Sequence, residues 1–463
     1  MIAIAIGALL VFSLDTEQLT VVPLLGRLDS AVGMTATQSA WALSATGIMA
    51  AATVPVISRL GDIFGMRRML LATLAVVAAG NILCAVAGGP TSFILGRAVI
   101  GVNAGLAIYY ALLRGRSGSA RVLDRYVGLM TVAVGAGLAL SDVLGGTVIA
   151  VGGSVRVVLW IIAGASLAVL AVVWLLVEDV TTRTRVGVDV AGAALLATGL
   201  AALVTGIGHG NSWGWGSPLI IGLLIIAVLL LISWGAWELH SPRPLIDLRI
   251  ARRRDVWPAY ALVAVISTIG IILALAVSEY VQTPSAAGYG FGGSVLTAGL
   301  YLVPGGLMAA AGGAVAAPVL SRFGQRATAL AGGLLATVSF LWFQSTTSRP
   351  WELIVLTALS GVSYALVYTA GSSAYLRAAR PGEAGMLAGG ARVTSTAIAA
   401  TGPVVLVSLL TSSPVPHTTV PQHGNYGHVW IFLACSGAVI CAIATFVRES
   451  CLDQRLADHA EIV

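Results

Sequence analysis

The sequence predicts an all-α, polytopic membrane protein, and three observations carry that prediction. The 463 residues are 58% hydrophobic and only 10% charged, with a mean hydropathy of +0.95. A soluble domain carries about 25% charged residues to cover itself with water. Apolar runs of about twenty residues recur from end to end, each long enough to span about 30 Å of hydrocarbon as a helix. The runs also lack the two-residue alternation of a membrane barrel.

Fourteen spans are read in order, over roughly 3–26, 39–57, 68–88, 92–112, 127–150, 156–177, 190–208, 217–237, 256–280, 294–317, 327–345, 351–373, 385–411 and 428–447. The first is not read as a cleaved leader, because it has no basic start, carries acids at its centre and lacks a small-residue cleavage site before Pro23. The even count returns the chain to its starting side. Arginine then orients it, since basic residues collect in cytoplasmic loops. Lysine is absent, and twenty arginines, Arg116, Arg253 and Arg326 among them, fall on the side of the termini. Three (Arg27, Arg156 and Arg349) fall opposite, while Arg97 and Arg392 sit inside spans. The expectation is a multi-pass protein of the cytoplasmic (inner) membrane with both termini cytoplasmic. The net charge of +6 is explained by this topology and is no nucleic-acid signal.

The division expected is a six-helix bundle over 1–178, a linker with two extra spans over 179–240, a second six-helix bundle over 241–447 and a cytoplasmic tail over 448–463. No stretch is long enough for a soluble catalytic domain, so function must be built from helices and short loops. Cys84, Cys435, Cys441 and Cys451 show no metal spacing and read as packing residues. The six histidines form no ligand cluster. No metal, cofactor or enzymatic activity is expected.

The loop between spans 2 and 3 reads SRLGDIFGMRR, Ser58–Arg68. It needs a tight turn at Gly65, with Asp62 at a helix end to latch a neighbouring helix through charge-assisted bonds and Arg67 and Arg68 at its basic end. It resembles the signature loop of the major facilitator superfamily, with Ser58 in place of that motif's first glycine. SRFGQR, Ser321–Arg326, is similar to a weaker second-half copy, in keeping with that family's repeated halves. Span 4 carries Arg97, Gly101 and Gly105 at four-residue spacing and resembles the family's R-x-x-x-G-x-G motif. An arginine in hydrocarbon faces a partner or a wet cavity, or snorkels from a span end. Span 5 places Gly137, Ser141 and Gly145 in a small-residue stripe that allows close helix approach. It resembles an antiporter motif in which Gly-Pro is here replaced by Ser141-Asp142, which removes a kink and adds a carboxylate near mid-membrane. WELHSPRPLIDLRI, Trp237–Ile250, and EYVQTPSAAGYGFGG, Glu279–Gly293, resemble the fourteen-span drug:proton antiporter branch (DHA2-like), whose extra helix pair would be spans 7 and 8.

Span 1 is interrupted by Asp15, Glu17 and Gln18. Ionisable groups inside a span face a cavity or a partner. Asp15 and Glu17 lie about 200° apart around a helix and cannot share one cavity. Asp15 shares its face with Gln18 and Val22, which become substrate-cavity candidates. The resemblance assigns Asp15 to the central cavity and matches Arg392 to an arginine of its span 13; Glu17 turns towards a neighbouring helix or the cavity edge. Asp15, Asp142, Arg392 and Glu17 are therefore the proton-coupling candidates: burial favours the neutral carboxyl and a nearby arginine the charged one, so conformational change moves the proton. The function expected is proton-driven export of an amphiphilic drug or natural product by alternating access, with protons, membrane lipids and a small amphiphile as partners and a monomer as the working unit. Export of lipid or glycolipid on the same fold, with a lipoprotein partner, is the alternative. A membrane sensor or enzyme is the other class, and no signalling domain or catalytic constellation is visible for it.

Overall fold

A computed structural model describes residues 17, 20–102, 137, 140, 141, 143–177, 189–242, 244, 247–346, 349–378, 384–412 and 421–447. Among these residues every regular element is a helix, and ten apolar segments of 19 to 28 residues are long enough to cross a membrane. The protein is a multi-pass membrane protein.

After a short 3₁₀ turn, Val22–Leu24, the chain forms α1 (Leu25–Val32), α2 (Ala36–Phe64), α3 (Met66–Val86), α4 (Pro90–Ile100) and, beyond a helical stretch at 143–150, α5 (Val155–Leu176). The hairpin α6 (Val190–Trp213) and α7 (Pro218–His240) follows, then the short α8 (Leu248–Ala251). A second set comprises α9 (Trp257–Gln282), α10 (Val295–Gln344), α11 (Pro350–Arg377), α12 (Ala384–Ala399), α13 (Gly402–Leu410) and α14 (His423–Ala444). Local chemistry sets the starts. Thr35 and Gln38 close a reciprocal capping box on α2, Ser154, Asp189, Ser217 and Ser294 cap α5, α6, α7 and α10, and prolines open α4, α7, α9, α11 and α13. A helix start leaves N–H groups orphaned, which a side-chain oxygen satisfies and which proline does not possess.

Spans 10 and 11 are two helices that follow one another within α10, turning at Gly324, whose backbone is non-helical (φ 80°, ψ 173°). One span differs from the sequence reading. Span 13 is divided: α12 ends at Ala399 and α13 resumes at Gly402 with Pro403 in its first turn, because proline supplies no N–H to the preceding turn.

In the first set α3 packs on α2, α4 and α5; in the second α9 is central, against α10, α11, α12, α13 and α14. The sets meet along a seam. At one edge α2 packs against α12 and α13, and a Cβ on Gly47 would lie 2.6 Å from the Ala400 Cβ. At the other, a Cβ on Gly146 would lie 2.3 Å from the Leu296 Cα, so only glycine admits that backbone approach. The 22–24 turn packs against α9 and α10 of the second set, and Val22 joins the buried apolar cluster of that set. The hairpin leans across the first edge, with Leu196, Leu200 and Val204 packed among Ala40, Ile48 and Ala51 of α2 and Val393, Ala397 and Val404 of α12 and α13.

Candidate functional site

The polar groups of the first bundle converge on Glu17, which is buried among α3, α4 and α5. The Ser166 hydroxyl of α5 donates to Glu17 Oε1 at 2.7 Å, and Asn81 Nδ2 of α3 donates to Ser166 Oγ at 2.8 Å. Arg97 of α4, only 2% exposed, donates from Nη1 to the Glu17 carbonyl at 3.2 Å. The Thr46 hydroxyl of α2 in turn donates to the Arg97 carbonyl at 2.9 Å. Five elements are thus tied at one knot inside an apolar bundle, where an unpaired polar group would be costly.

Ser166 gives this knot a second property. Its oxygen also stands 2.9 Å from the Ile162 carbonyl one turn earlier. A hydroxyl has one proton to donate and two lone pairs to accept with. With Glu17 ionised, Ser166 donates to the carboxylate. With Glu17 protonated, the carboxyl donates to Ser166 and the serine proton turns to Ile162. The Glu17–Ser166 bond can form in either protonation state without moving a heavy atom.

The signature loop is also organised by hydrogen bonds. Gly65, at φ 102°, joins α2 directly to α3, a backbone conformation that side chains strain to adopt. Arg67 donates to the carbonyls of Trp174, at 2.7 Å, and Val177, which close α5. A guanidinium is well placed there, at the negative end of the helix dipole. Asp62 lies in the last turn of α2 and Arg68 is exposed. Gly324, the counterpart in SRFGQR, repeats the positive φ at 80°.

The remaining sequence candidates fall in different places. Asp15, Gln18, Asp142 and Gly105 lie outside the described residues. Ser141, Gly137 and Gly145 are buried, and a Cβ on Gly145 would meet the Thr20 carbonyl at 3.2 Å, a tight approach between the first and fifth spans. Gly101 packs on α2, where a Cβ would lie 2.3 Å from the Thr46 carbonyl. Arg392 is exposed on α12. Val22, read as a cavity candidate, is 1% exposed and belongs to the buried apolar cluster of the second set. Sequence reasoning missed Asn81 and Ser166. Asn81 had a signal, being an amide inside an apolar run; Ser166 had none.

Residues 4–403 match the profile of the Major Facilitator Superfamily. The chain belongs to that superfamily. Relatives include an uncharacterized MFS-type transporter of Mycobacterium tuberculosis, Rv1877, 29% identical over 70% of this chain and 47% of that protein. The tetracenomycin C resistance and export protein of Streptomyces glaucescens is 27% identical over 62% of this chain and 52% of its own length. The probable actinorhodin transporter of Streptomyces coelicolor is 27% identical over 67% and 55%. The chain thus spans about half the length of the curated relatives it matches. Among solved structures, the human organic anion transporter MFSD10 superposes with a TM-score of 0.62 at 18% identity, covering 96% of this chain and 98% of that one. That likeness is one of fold.

Proposed function

We propose that this superfamily member is a proton-coupled exporter of amphiphilic drugs or natural products, of the fourteen-span drug:proton antiporter branch, working by alternating access in the cytoplasmic membrane with both termini inside. The observation that carries the proton is the Glu17–Ser166 pair, which accommodates a carboxylate and a carboxylic acid in the same heavy-atom frame. A group that binds and releases a proton at little structural cost is what a proton-driven cycle requires. The cargo class rests on the names of two relatives, a tetracenomycin C resistance and export protein and a probable actinorhodin transporter. In this reading Asp15, in the same span as Glu17, is the cavity-facing coupling acid, and Asp142 and Arg392 complete the charge exchange between the bundles.

The test is flux in proteoliposomes under an imposed pH gradient, with ethidium as the cationic amphiphile. Wild-type protein moves the probe against its gradient only when the pH gradient is present. Asp15→Asn abolishes gradient-driven flux while leaving insertion intact, since the amide keeps the shape and loses the proton. Glu17→Gln reduces it less, because Glu17 lies in a fixed network. Flux indifferent to the pH gradient in wild type would refute proton coupling, and wild-type rates in Asp15→Asn would remove that residue from the role.

A further inference from the structure

The stretch that joins the hairpin to the second bundle concentrates positive charge that the fold only partly uses. Arg249, Arg252, Arg253 and Arg254 fall within six positions just before α9. Two ties fix this stretch. The Arg249 guanidinium donates twice to the Leu239 carbonyl, from Nε at 3.2 Å and from Nη2 at 2.6 Å, closing the end of α7. The Asp247 carboxylate accepts from the Arg249 backbone N–H at 3.0 Å and so caps α8. Arg252 and Arg254 are left exposed on the turn between α8 and α9, and among the described residues no hydrogen bond or ion pair holds either guanidinium. Asp255, also exposed, pairs with neither.

Beside these arginines the surface is aromatic. Trp257 is the first residue of α9, and its ring stands 5.5 Å from that of Phe446, just beyond the end of α14; both rings are exposed. At 1.5 Å per residue the 26 residues of α9 reach about 39 Å, more than the roughly 30 Å of hydrocarbon. With arginines immediately before it, the start of α9 therefore stands at the level of the lipid head groups. Tryptophan suits that level, because its ring can lie on the upper acyl chains while its N–H donates to a polar group. Elsewhere at this end of the bundle an arginine and a ring satisfy each other: Arg322 stands over the neighbouring Phe323 ring at 5.5 Å.

Free guanidiniums and exposed rings make different demands on a partner. A soluble anion answers the arginines and leaves the rings uncovered. A zwitterionic lipid covers the rings but brings its own cation up to the arginines. An anionic phospholipid meets both demands, its phosphate held in the guanidinium forks and its chains laid on the rings. We propose that this junction is a binding site for an anionic phospholipid, held by Arg252 and Arg254 and seated on Trp257 and Phe446. By offsetting the repulsion among neighbouring guanidiniums, the head group steadies the joint through which the hairpin is attached to α9. The site concerns a lipid rather than the cargo, and it stands whether or not transport is driven by protons.

The test measures lipid affinity directly. Purified full-length protein in detergent is titrated with phosphatidylglycerol or with phosphatidylcholine, and the first bound lipid is followed by native mass spectrometry. Wild-type protein binds phosphatidylglycerol more tightly than phosphatidylcholine. Arg252→Gln with Arg254→Gln weakens phosphatidylglycerol binding by about tenfold, the effect of two guanidiniums at an anionic surface. Arg252→Lys with Arg254→Lys, which keeps both charges and controls for folding, retains the preference. Trp257→Ala weakens both lipids by a smaller factor. Arg322→Gln with Arg377→Gln removes the same charge from exposed positions at the same end and leaves the affinity at its wild-type value. An equal loss in that second pair would show that net charge alone attracts the lipid, and overturns the inference. Equal affinity of wild type for the two lipids overturns it too, as does an unchanged affinity in Arg252→Gln with Arg254→Gln. Complete displacement of the lipid by inorganic phosphate would mark a site for the free anion and likewise overturns it.

Discussion

The two bundles are held together differently. The first is drawn around a polar knot, Glu17, Ser166, Asn81, Arg97 and Thr46, joined by hydrogen bonds between elements far apart in sequence. The second is drawn around apolar and aromatic side chains, Phe340, Phe343, Leu433 and Trp430 with the tyrosines of α9 and α14, and its polar groups bond locally for the most part. Polar knots have specific geometry and few alternatives, whereas apolar cores tolerate change provided volume is kept. The first bundle therefore concentrates ionisable chemistry in a fixed frame, and the second supplies a stiff body against which that frame moves.

Arg97→Ala is the strongest way to break this contrast. Its buried guanidinium donates to the Glu17 carbonyl, and a hydrogen bond from a charged group is worth about 1.5–3 kcal/mol. Both thermal stability in detergent and flux should be lost, with Arg97→Lys a poor rescue because its point charge lacks the planar fork. A variant of wild-type stability would show that the knot does not hold the bundle. Leu433→Ala sharpens the contrast from the other side: truncating a fully buried leucine costs about 2–5 kcal/mol, yet flux per folded molecule at low temperature should stay near wild type. A pH profile of flux shifted by this apolar change would undo the division of labour. The smallest effect tests the symmetry between bundles. Gly65→Ala and Gly324→Ala each force a side chain into backbone space nearly reserved for glycine, at about 1–3 kcal/mol. Paired melting curves should give losses of the same size, and a loss at one site alone would deny the two loops a common role.

Much of the helical order was legible because hydrocarbon demands long apolar runs and tolerates few charges. Prolines and capping serines marked several starts within a few residues. The signature loop was legible through Asp62, Gly65 and the arginine pair, but not its partner: that Arg67 closes the carbonyl end of α5 is a tertiary fact between residues more than a hundred positions apart. The same limit hid Ser166, a common helix residue whose meaning comes only from the Glu17 carboxylate beside it. The break before Pro403 was written in the sequence and was passed over because the apolar run continues through it.

The α6–α7 hairpin shields one edge of the join between the bundles. Where it leans on α2, α12 and α13, a solute dissolved in the lipid meets a further wall of leucine, isoleucine and valine before it reaches that join. A membrane-dissolved cargo approaching from this side meets the outer face of α7 first, and crosslinkable lipid analogues should mark its exposed Leu219, Ile225 and Val228 far more heavily than the buried Ala400.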